Sequence, residues 1–101
     1  MSLKEKLATG KFVITTEVGP PKGVDIQEMR ENVELLKGKV DALNCTDQQA
    51  SVMRLGSLAS CLLAKQWGLE PVFQMTCRDR NRLALQSDLL NASVLGIENV
   101  L

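Results

Sequence analysis

The sequence contains no histidine, and it has only three cysteines, Cys45, Cys61 and Cys77, none of them in a CxxC pair. Without histidine, the chain cannot build a Ser-His-Asp or Cys-His catalytic centre from its own residues. A zinc site made of cysteine and histidine is not expected either, so no metal site is predicted. An odd, sparse set of cysteines is also atypical of a secreted disulfide framework.

The sequence also lacks net charge, because 12 basic residues balance 12 acidic ones. Nucleic acid and anionic membranes are therefore not expected partners. No apolar run approaches the ~20 residues of a membrane span. Residues 1–6 have no apolar signal-peptide core, which predicts a cytoplasmic location. The length of 101 residues and the 45% hydrophobic content fit one small globular domain and are too little for two.

Strand and helix patterns alternate along the chain with a repeat of roughly 30 residues, the size of a βαβ step. β-branched and apolar runs predict strands, while apolar residues at helical spacing, followed by glycine, predict helices. The predicted strands lie at 11–18, 40–44, 71–75 and 97–101, and the main helices at about 25–37, 51–67 and 80–95. A short helix, opened by a Ser2–Glu5 capping box, precedes them.

This alternation predicts an α/β fold with a parallel sheet and right-handed crossovers. A complete (β/α)8 barrel takes ~250 residues. The chain ends on the apolar residues 99–101, without a polar tail. We therefore expect residues 1–101 to be the N-terminal part of a TIM barrel, about three βα units plus the start of strand 4, truncated from a longer chain. Unpaired strand edges would favour an oligomer.

Polar residues follow three of the predicted strands, at the rim where functional groups gather in parallel α/β folds. Glu17 ends the first strand, just before Gly19-Pro20-Pro21. A carboxyl group at a partly apolar rim suits a general acid, whereas the structural alternative is a glutamate that accepts bonds from loop amides. Asn44, Thr46 and Gln74 are neutral groups that could hold a flat heterocycle or simply cap loops.

Two further features have a functional and a plainer interpretation. Cys45 and Cys77 occupy equivalent positions in successive repeats, so they could form a disulfide or thiolate site, but two inert thiols are the simpler expectation. The charged run 78–82 could bind an anion at a helix N-terminus. A solvated helix start with a local Asp–Arg pair is the simpler expectation there.

Taken together, three segments resemble the methylenetetrahydrofolate reductase family. They are Thr16–Gly23, Val40–Asp47 and Gln74–Asn81, of which the third is the most specific. The resemblance covers nearly the whole chain from about Phe12 and looks closest to the branch found in anaerobic bacteria with one-carbon metabolism. It corresponds to about the N-terminal third of a family catalytic domain.

The resemblance implies a flavin-dependent (β/α)8 barrel that reduces 5,10-methylenetetrahydrofolate to 5-methyltetrahydrofolate. Glu17 matches the family's proton donor, which opens the folate's one-carbon bridge. Asn44 and Thr46 match the strand end that lines the flavin, and Gln74 matches a position near the flavin ring that is often held by histidine. Glutamine cannot carry the charge of a histidine, so the flavin would be tuned differently here.

The resemblance also implies a cofactor and partners. The cofactor would be FAD, with FMN not excluded, and the substrate a folate. The electron donor would be NAD(P)H or a ferredoxin-linked partner subunit. The family's aspartate after the fourth strand and much of its flavin phosphate site would lie beyond Leu101. Two other functions remain open: a non-catalytic partial-barrel interaction module, and a pterin-binding barrel of the methyltransferase type.

Overall fold

The computed structural model describes residues 1–101 and contains one four-stranded parallel sheet with the strand order β1-β2-β3-β4. Helices connect successive strands, which confirms the predicted α/β class and is consistent with the N-terminal part of a TIM barrel. The strands are β1 (Thr15–Val18), β2 (Ala42–Cys45), β3 (Pro71–Phe73) and β4 (Asn99–Val100). The helices are α1 (Leu3–Ala8), α2 (Gln27–Leu36), α3 (Ser57–Gln66) and α4 (Arg82–Val94), with a 3₁₀ turn at Gln49–Ser51.

The two faces of the sheet have different neighbours because side chains alternate along each strand. On one face, Leu43, Cys45 and Phe73 are fully buried against the helices in a single apolar core. That core is completed by residues from β1, all three connecting helices and two loops: Val18, Met29, Val33, Cys61, Ala64, Leu69, Ala92 and Ile97. On the other face, the strand pairing aligns Glu17, Asn44, Val72 and Asn99 in one row. The candidate site residues therefore lie on the face opposite the helices.

The sequence pattern predicts an apolar stripe of Leu55, Leu58, Ala59 and Leu62 for the helix that became α3. Leu55 and Leu58 are only partly buried against the core, and the fully buried contacts of α3 are made by small side chains. Its buried residues are Ser57, Ser60, Cys61 and Ala64, which follow helical spacing. The hydroxyl groups of both serines are satisfied, since Ser57 donates to the Cys45 carbonyl at 2.7 Å and Ser60 to Gly56 at 3.0 Å. The predicted start at residue 51 was also wrong, because residues 49–51 form a 3₁₀ turn and the helix begins at Ser57.

The sequence pattern predicts an apolar side of α4 formed by Leu83, Leu90 and Val94, and the structure does not bury it. Leu83, Leu90 and Val94 lie on one side of the helix, but 69–86% of each is exposed. The helix instead contributes Ala92 to the core. No other element of the chain covers this apolar stripe, and β1 and β4 are the two edges of the sheet.

The sequence pattern predicts capping boxes at Ser2–Glu5 and at Asp25–Glu28, and the structure contains only the first. Ser2 and Glu5 exchange side-chain-to-backbone hydrogen bonds at the start of α1, as predicted. Asp25 and Glu28 do not form the second box. Instead α2 begins without a side-chain cap, and Asp25 accepts a hydrogen bond from the Gln27 amide at 3.1 Å.

Strand β1 is shorter than predicted, because its pairing with β2 begins only at Thr15 and Ala42. The preceding residues are held instead by Asp41, at the amino end of β2. The Asp41 carboxylate accepts hydrogen bonds from the Ile14 amide at 2.9 Å and from the Lys6 ammonium at 3.0 Å. A second ammonium, that of Lys11, lies 3.4 Å away. Asp41 thus fixes the segment before β1 to the amino end of the sheet.

Replacing Asp41 with asparagine is expected to lower the melting temperature at neutral pH and to lose that effect in acid. The hydrogen bond from Ile14, followed by that from Lys6, lowers the pKa of Asp41 to about 2. An aspartate in an unfolded chain titrates near ~3.9. The carboxylate therefore stabilises the fold above that pH, and this contribution disappears as the pH falls towards about 2. Thermal unfolding of parent and variant across this range tests the prediction. A melting-temperature difference that does not change with pH would contradict it.

Candidate functional site

The polar ends of β1, β2 and β3 meet at an open cavity of about 230 Å³. Its walls come from the strand end at Glu17 and from the segments that follow β2 and β3. The lining residues are Glu17, Thr46, Asp47, Gln48, Gln49, Ala50, Gln74, Thr76 and Arg78. All but one are polar or charged, so the cavity suits a ligand with many hydrogen-bonding groups. Its volume of about 230 Å³ is below the ~300–1,000 Å³ typical of a small-molecule site.

Glu17 lies at the carboxyl end of β1, paired in register with Asn44 of β2. Its side chain is exposed, and no hydrogen bond within the chain engages its carboxylate. The loop that follows is anchored by Pro20, which is fully buried. The alternative role, in which Glu17 accepts bonds from loop amides, therefore does not hold in this structure. The carboxylate is free to contact a ligand.

Asn44 and Gln74 form an amide pair on neighbouring strands. The Gln74 Nε2 donates to the Asn44 Oδ1 at 3.4 Å, and the Asn44 Nδ2 donates to the Thr16 carbonyl at 3.2 Å. Gln74 lines the cavity, whereas Asn44 does not and acts as its support. Because the Gln74 Nε2 points towards Asn44, its carbonyl oxygen remains available as an acceptor.

Thr46 also lines the cavity but is only 3% exposed. Its backbone amide and its hydroxyl both lie 3.4 Å from the Val18 carbonyl, which accepts from them. The hydroxyl proton is thus committed to β1, and only the oxygen lone pairs of this side chain are left for a ligand. The structure brings three of the four predicted residues, Glu17, Thr46 and Gln74, to one cavity.

Asp47 is a central residue of this rim that the sequence interpretation did not single out. Its side chain is fully buried and accepts hydrogen bonds from the Thr76 amide at 2.8 Å and the Thr76 hydroxyl at 3.1 Å. It also forms a two-point ion pair with Arg80. Burial by itself raises the pKa of Asp47, but the hydrogen bonds from Arg80 and Thr76 outweigh it, so the pKa lies below its ordinary value. Asp47 is therefore charged at neutral pH.

Two arginines of the charged run after β3 form three ion pairs. Arg78 pairs with its neighbour Asp79 at 2.8 Å, as the predicted local Asp–Arg pair. Arg80 instead points inward, to Asp47 and to Asp88 of α4. The only sequence signal for the Asp47–Arg80 pair is that each residue closely follows a strand end in successive repeats. Their separation of 33 residues hides the contact from any local pattern.

The segment after β2 is held in an unusual backbone conformation. Gln48, Ala50 and Ser51 all have positive φ angles of 48–59°, which L-residues rarely adopt. The side-chain amide of Gln48 accepts a hydrogen bond from the Arg54 backbone amide at 2.7 Å and donates one to the Arg54 carbonyl at 3.0 Å. The Arg78 guanidinium donates to the Gln48 carbonyl at 3.0 Å. Such conformations persist only where the surroundings fix them, as these contacts do.

The three cysteines are free thiols, and the neighbour of Cys45 in the core is Cys61 rather than Cys77. Cys45 and Cys61 are fully buried, and Cys77 is exposed. The hydrogen bond with Cys61, together with burial, raises the pKa of the Cys45 thiol. No group of three or more potential metal ligands occurs in the chain. No helix is both long enough and apolar enough to cross a membrane.

Comparison with known proteins identifies the family. The family model described as methylenetetrahydrofolate reductase matches residues 2–101. The chain belongs to the methylenetetrahydrofolate reductase family. A comparison with curated proteins found no match. Membership in this family indicates an oxidoreductase with a role in folate and one-carbon chemistry, and it confirms the resemblance recognised in the sequence.

Enzymes of the methylenetetrahydrofolate reductase family generally bind a flavin, and the donor set of this rim fits such a ring. A flavin ring carries carbonyl acceptors and an imide N–H donor, so it needs neutral groups of both kinds. The cavity offers the Gln74 carbonyl oxygen and the Thr46 oxygen lone pairs as acceptors, and the exposed side-chain amide of Gln49 as a donor. The only carboxylate buried at the cavity, that of Asp47, is neutralised by Arg80. The rim can therefore hold a flat polar ring without placing an uncompensated buried charge against it.

Proposed function

We propose that this chain supplies the proton donor of a flavin-dependent enzyme that reduces 5,10-methylenetetrahydrofolate to 5-methyltetrahydrofolate. The observation that carries the proposal is the position of Glu17, whose free carboxylate lies at the carboxyl rim beside the Asn44–Gln74 amide pair. Membership of residues 2–101 in the reductase family supports the same activity.

The proposed cofactor is FAD, with FMN as the alternative. Bound at the rim, the flavin would supply the hydride for the reduction. Gln74 and Thr46 would contact the ring, and Asn44 would hold the Gln74 amide in place through their 3.4 Å contact. Because glutamine is neutral at all pH values, the ring would face a dipole here rather than a titrating group.

Glu17 would act as the general acid. Opening the one-carbon bridge of the folate requires a proton on the departing nitrogen, and a positioned carboxyl group can deliver it. Glu17 is the only ionisable residue of the row that crosses the sheet through Asn44, Val72 and Asn99. The buried Asp47 is tied to Arg80 and cannot reach a ligand. Among the carboxylates that line the cavity, Glu17 therefore has the required freedom.

The electron donor would be NAD(P)H or a ferredoxin-linked partner subunit. A second candidate function is a non-catalytic interaction module, which the exposed stripe of Leu83, Leu90 and Val94 on α4 favours. An apolar stripe of this kind is typical of a surface that another element or protein covers.

Flavin content separates these two functions. We expect the native protein that contains this sequence to be purified with the visible absorbance of an oxidised flavin, or to acquire it with added FAD. Cofactor released by heat and analysed by chromatography distinguishes FAD from FMN. A folded protein that binds neither flavin at micromolar concentration would contradict the reductase proposal and favour the interaction module.

A further inference from the structure

We propose that Asp47 is a positioning residue for this site, in that its buried carboxylate fastens the segment after β3 to the end of β2 and thereby holds Gln74 and Thr76 at the cavity. This inference rests on the proposed function for the identity of the ligand, a flavin. The link that Asp47 makes between the two segments depends only on contacts within the chain.

The segments after β2 and β3 need a side-chain link because the two strands are short. The pairing of β2 with β3 ends at Cys45 and Phe73. Beyond these residues no strand pairing holds Gln74 and Thr76 against the segment that follows β2. Side chains must make the connection there, and the Asp47 carboxylate makes it by accepting two hydrogen bonds from Thr76.

Arg80 closes this connection into a ring. Its guanidinium pairs with both carboxylate oxygens of Asp47 and donates to the Thr76 carbonyl at 2.9 Å. Its Nε donates to Asp88 on α4 at 3.0 Å, which ties the ring to the helix. Asp47 and Arg80 therefore both hold Thr76, through its backbone and its side chain. Thr76 lies only two residues after Gln74, so Gln74 is held in place with it.

Asp47 borders the cavity, but its side chain is 0% exposed, so the carboxylate has no surface free for a ligand. Every strong contact of its carboxylate is with Thr76 or Arg80. Its effect on a ligand must pass through the residues that it holds. Two carboxylates flank β2, and the other, Asp41, makes comparable ion pairs at the opposite end of the strand. Asp41 therefore offers a matched control for charge and strand.

The test compares Asp47→Asn with Asp41→Asn in the native protein that contains this sequence. Asparagine keeps the size of the side chain but removes the charge that binds Arg80. We expect Asp47→Asn to weaken FAD binding at least about tenfold, the effect of losing one charge-assisted hydrogen bond, and Asp41→Asn to leave it within about twofold. Hydrogen exchange in the FAD-free protein should accelerate about tenfold or more over residues 74–80 in Asp47→Asn only.

Thr76→Val and Thr76→Ser form a second pair of variants, which decides the matter if Asp47→Asn does not fold. Valine removes the hydroxyl that donates to Asp47, and serine keeps it. We expect valine to reproduce part of the FAD and exchange effects and serine to restore parent behaviour. A purely structural role would instead lower the melting temperature of these variants without changing FAD affinity.

The outcomes separate this inference from the proposed function. If the parent protein binds FAD and Asp47→Asn binds it equally well, with unchanged exchange at residues 74–80, Asp47 is not a positioning residue. If the parent binds no flavin, the reductase proposal fails, and the exchange measurement still decides whether Asp47 holds the segment after β3. Unchanged exchange in that case also overturns the inference.

Discussion

Replacing Glu17 with glutamine in the native protein is expected to slow the reduction of 5,10-methylenetetrahydrofolate by ~10²–10⁴-fold, the usual contribution of a general acid. Glutamine keeps the size of the side chain but has no ionisable proton. Flavin binding and flavin reduction by the electron donor should persist, because neither requires that proton. Stopped-flow measurement of the two half-reactions separates these effects.

Glu98→Gln is the matched control for this substitution. Glu98 is also an exposed glutamate, but it precedes β4 and lies at the amino end of the sheet. Its variant should leave both half-reactions within about twofold of the parent, since a surface substitution away from the site has little effect. If the folate half-reaction of Glu17→Gln runs within about threefold of the parent, a general-acid role for Glu17 is wrong.

Replacing Phe73 with alanine is expected to reduce the free energy of unfolding by ~3–5 kcal/mol. Phe73 lies in β3 between Cys45 and Val100, is 0% exposed and belongs to the single apolar core. The substitution removes its ring from that core and leaves a cavity. Domains of this size are stabilised by only ~5–15 kcal/mol, so the loss is a large fraction of the total.

Phe12→Ala provides the control, since the same side chain is removed from a position that is 84% exposed. We expect this variant to unfold within ~0.5 kcal/mol of the parent. Urea unfolding, followed by circular dichroism, measures both variants. A similar loss for Phe12 and Phe73 would show that the core is not where the structure places it.

The fold could be predicted because its signals are local and repeat along the chain. The strands at Ala42–Cys45 and Pro71–Phe73 are short apolar runs, and the turns at Gly38 and Gly68 have positive φ angles that glycine adopts easily. Alternation of such units permits few topologies other than a parallel sheet. The exact strand lengths depend on pairing partners, and for this reason residues 11–14 were assigned to β1 incorrectly.

The contact faces of the helices were harder to predict. Hydrophobic periodicity selects large apolar residues, but α3 buries Ser57, Ser60, Cys61 and Ala64 against the sheet. Serine at such a position requires a carbonyl acceptor, here that of Cys45 for Ser57, and a sequence does not reveal it. On α4 the periodic residues Leu83, Leu90 and Val94 do share a side, but that side is exposed.

The candidate site could be predicted in part. Glu17, Thr46 and Gln74 each end or follow a strand, and parallel strands bring such positions to one rim. The link between Asp47 and Arg80 depends on the conformation of two loops that are 33 residues apart. No local pattern encodes it. The roles of the individual residues remain predictions that the variants above test.

The most direct test of the central claim is the folate half-reaction of the parent protein. The native protein is reduced anaerobically and mixed with 5,10-methylenetetrahydrofolate, while flavin absorbance and folate products are followed together. We predict that flavin absorbance returns in proportion to the 5-methyltetrahydrofolate formed. A reduced, flavin-loaded protein that is not reoxidised by this folate, or that is reoxidised without forming 5-methyltetrahydrofolate, would contradict the proposed function.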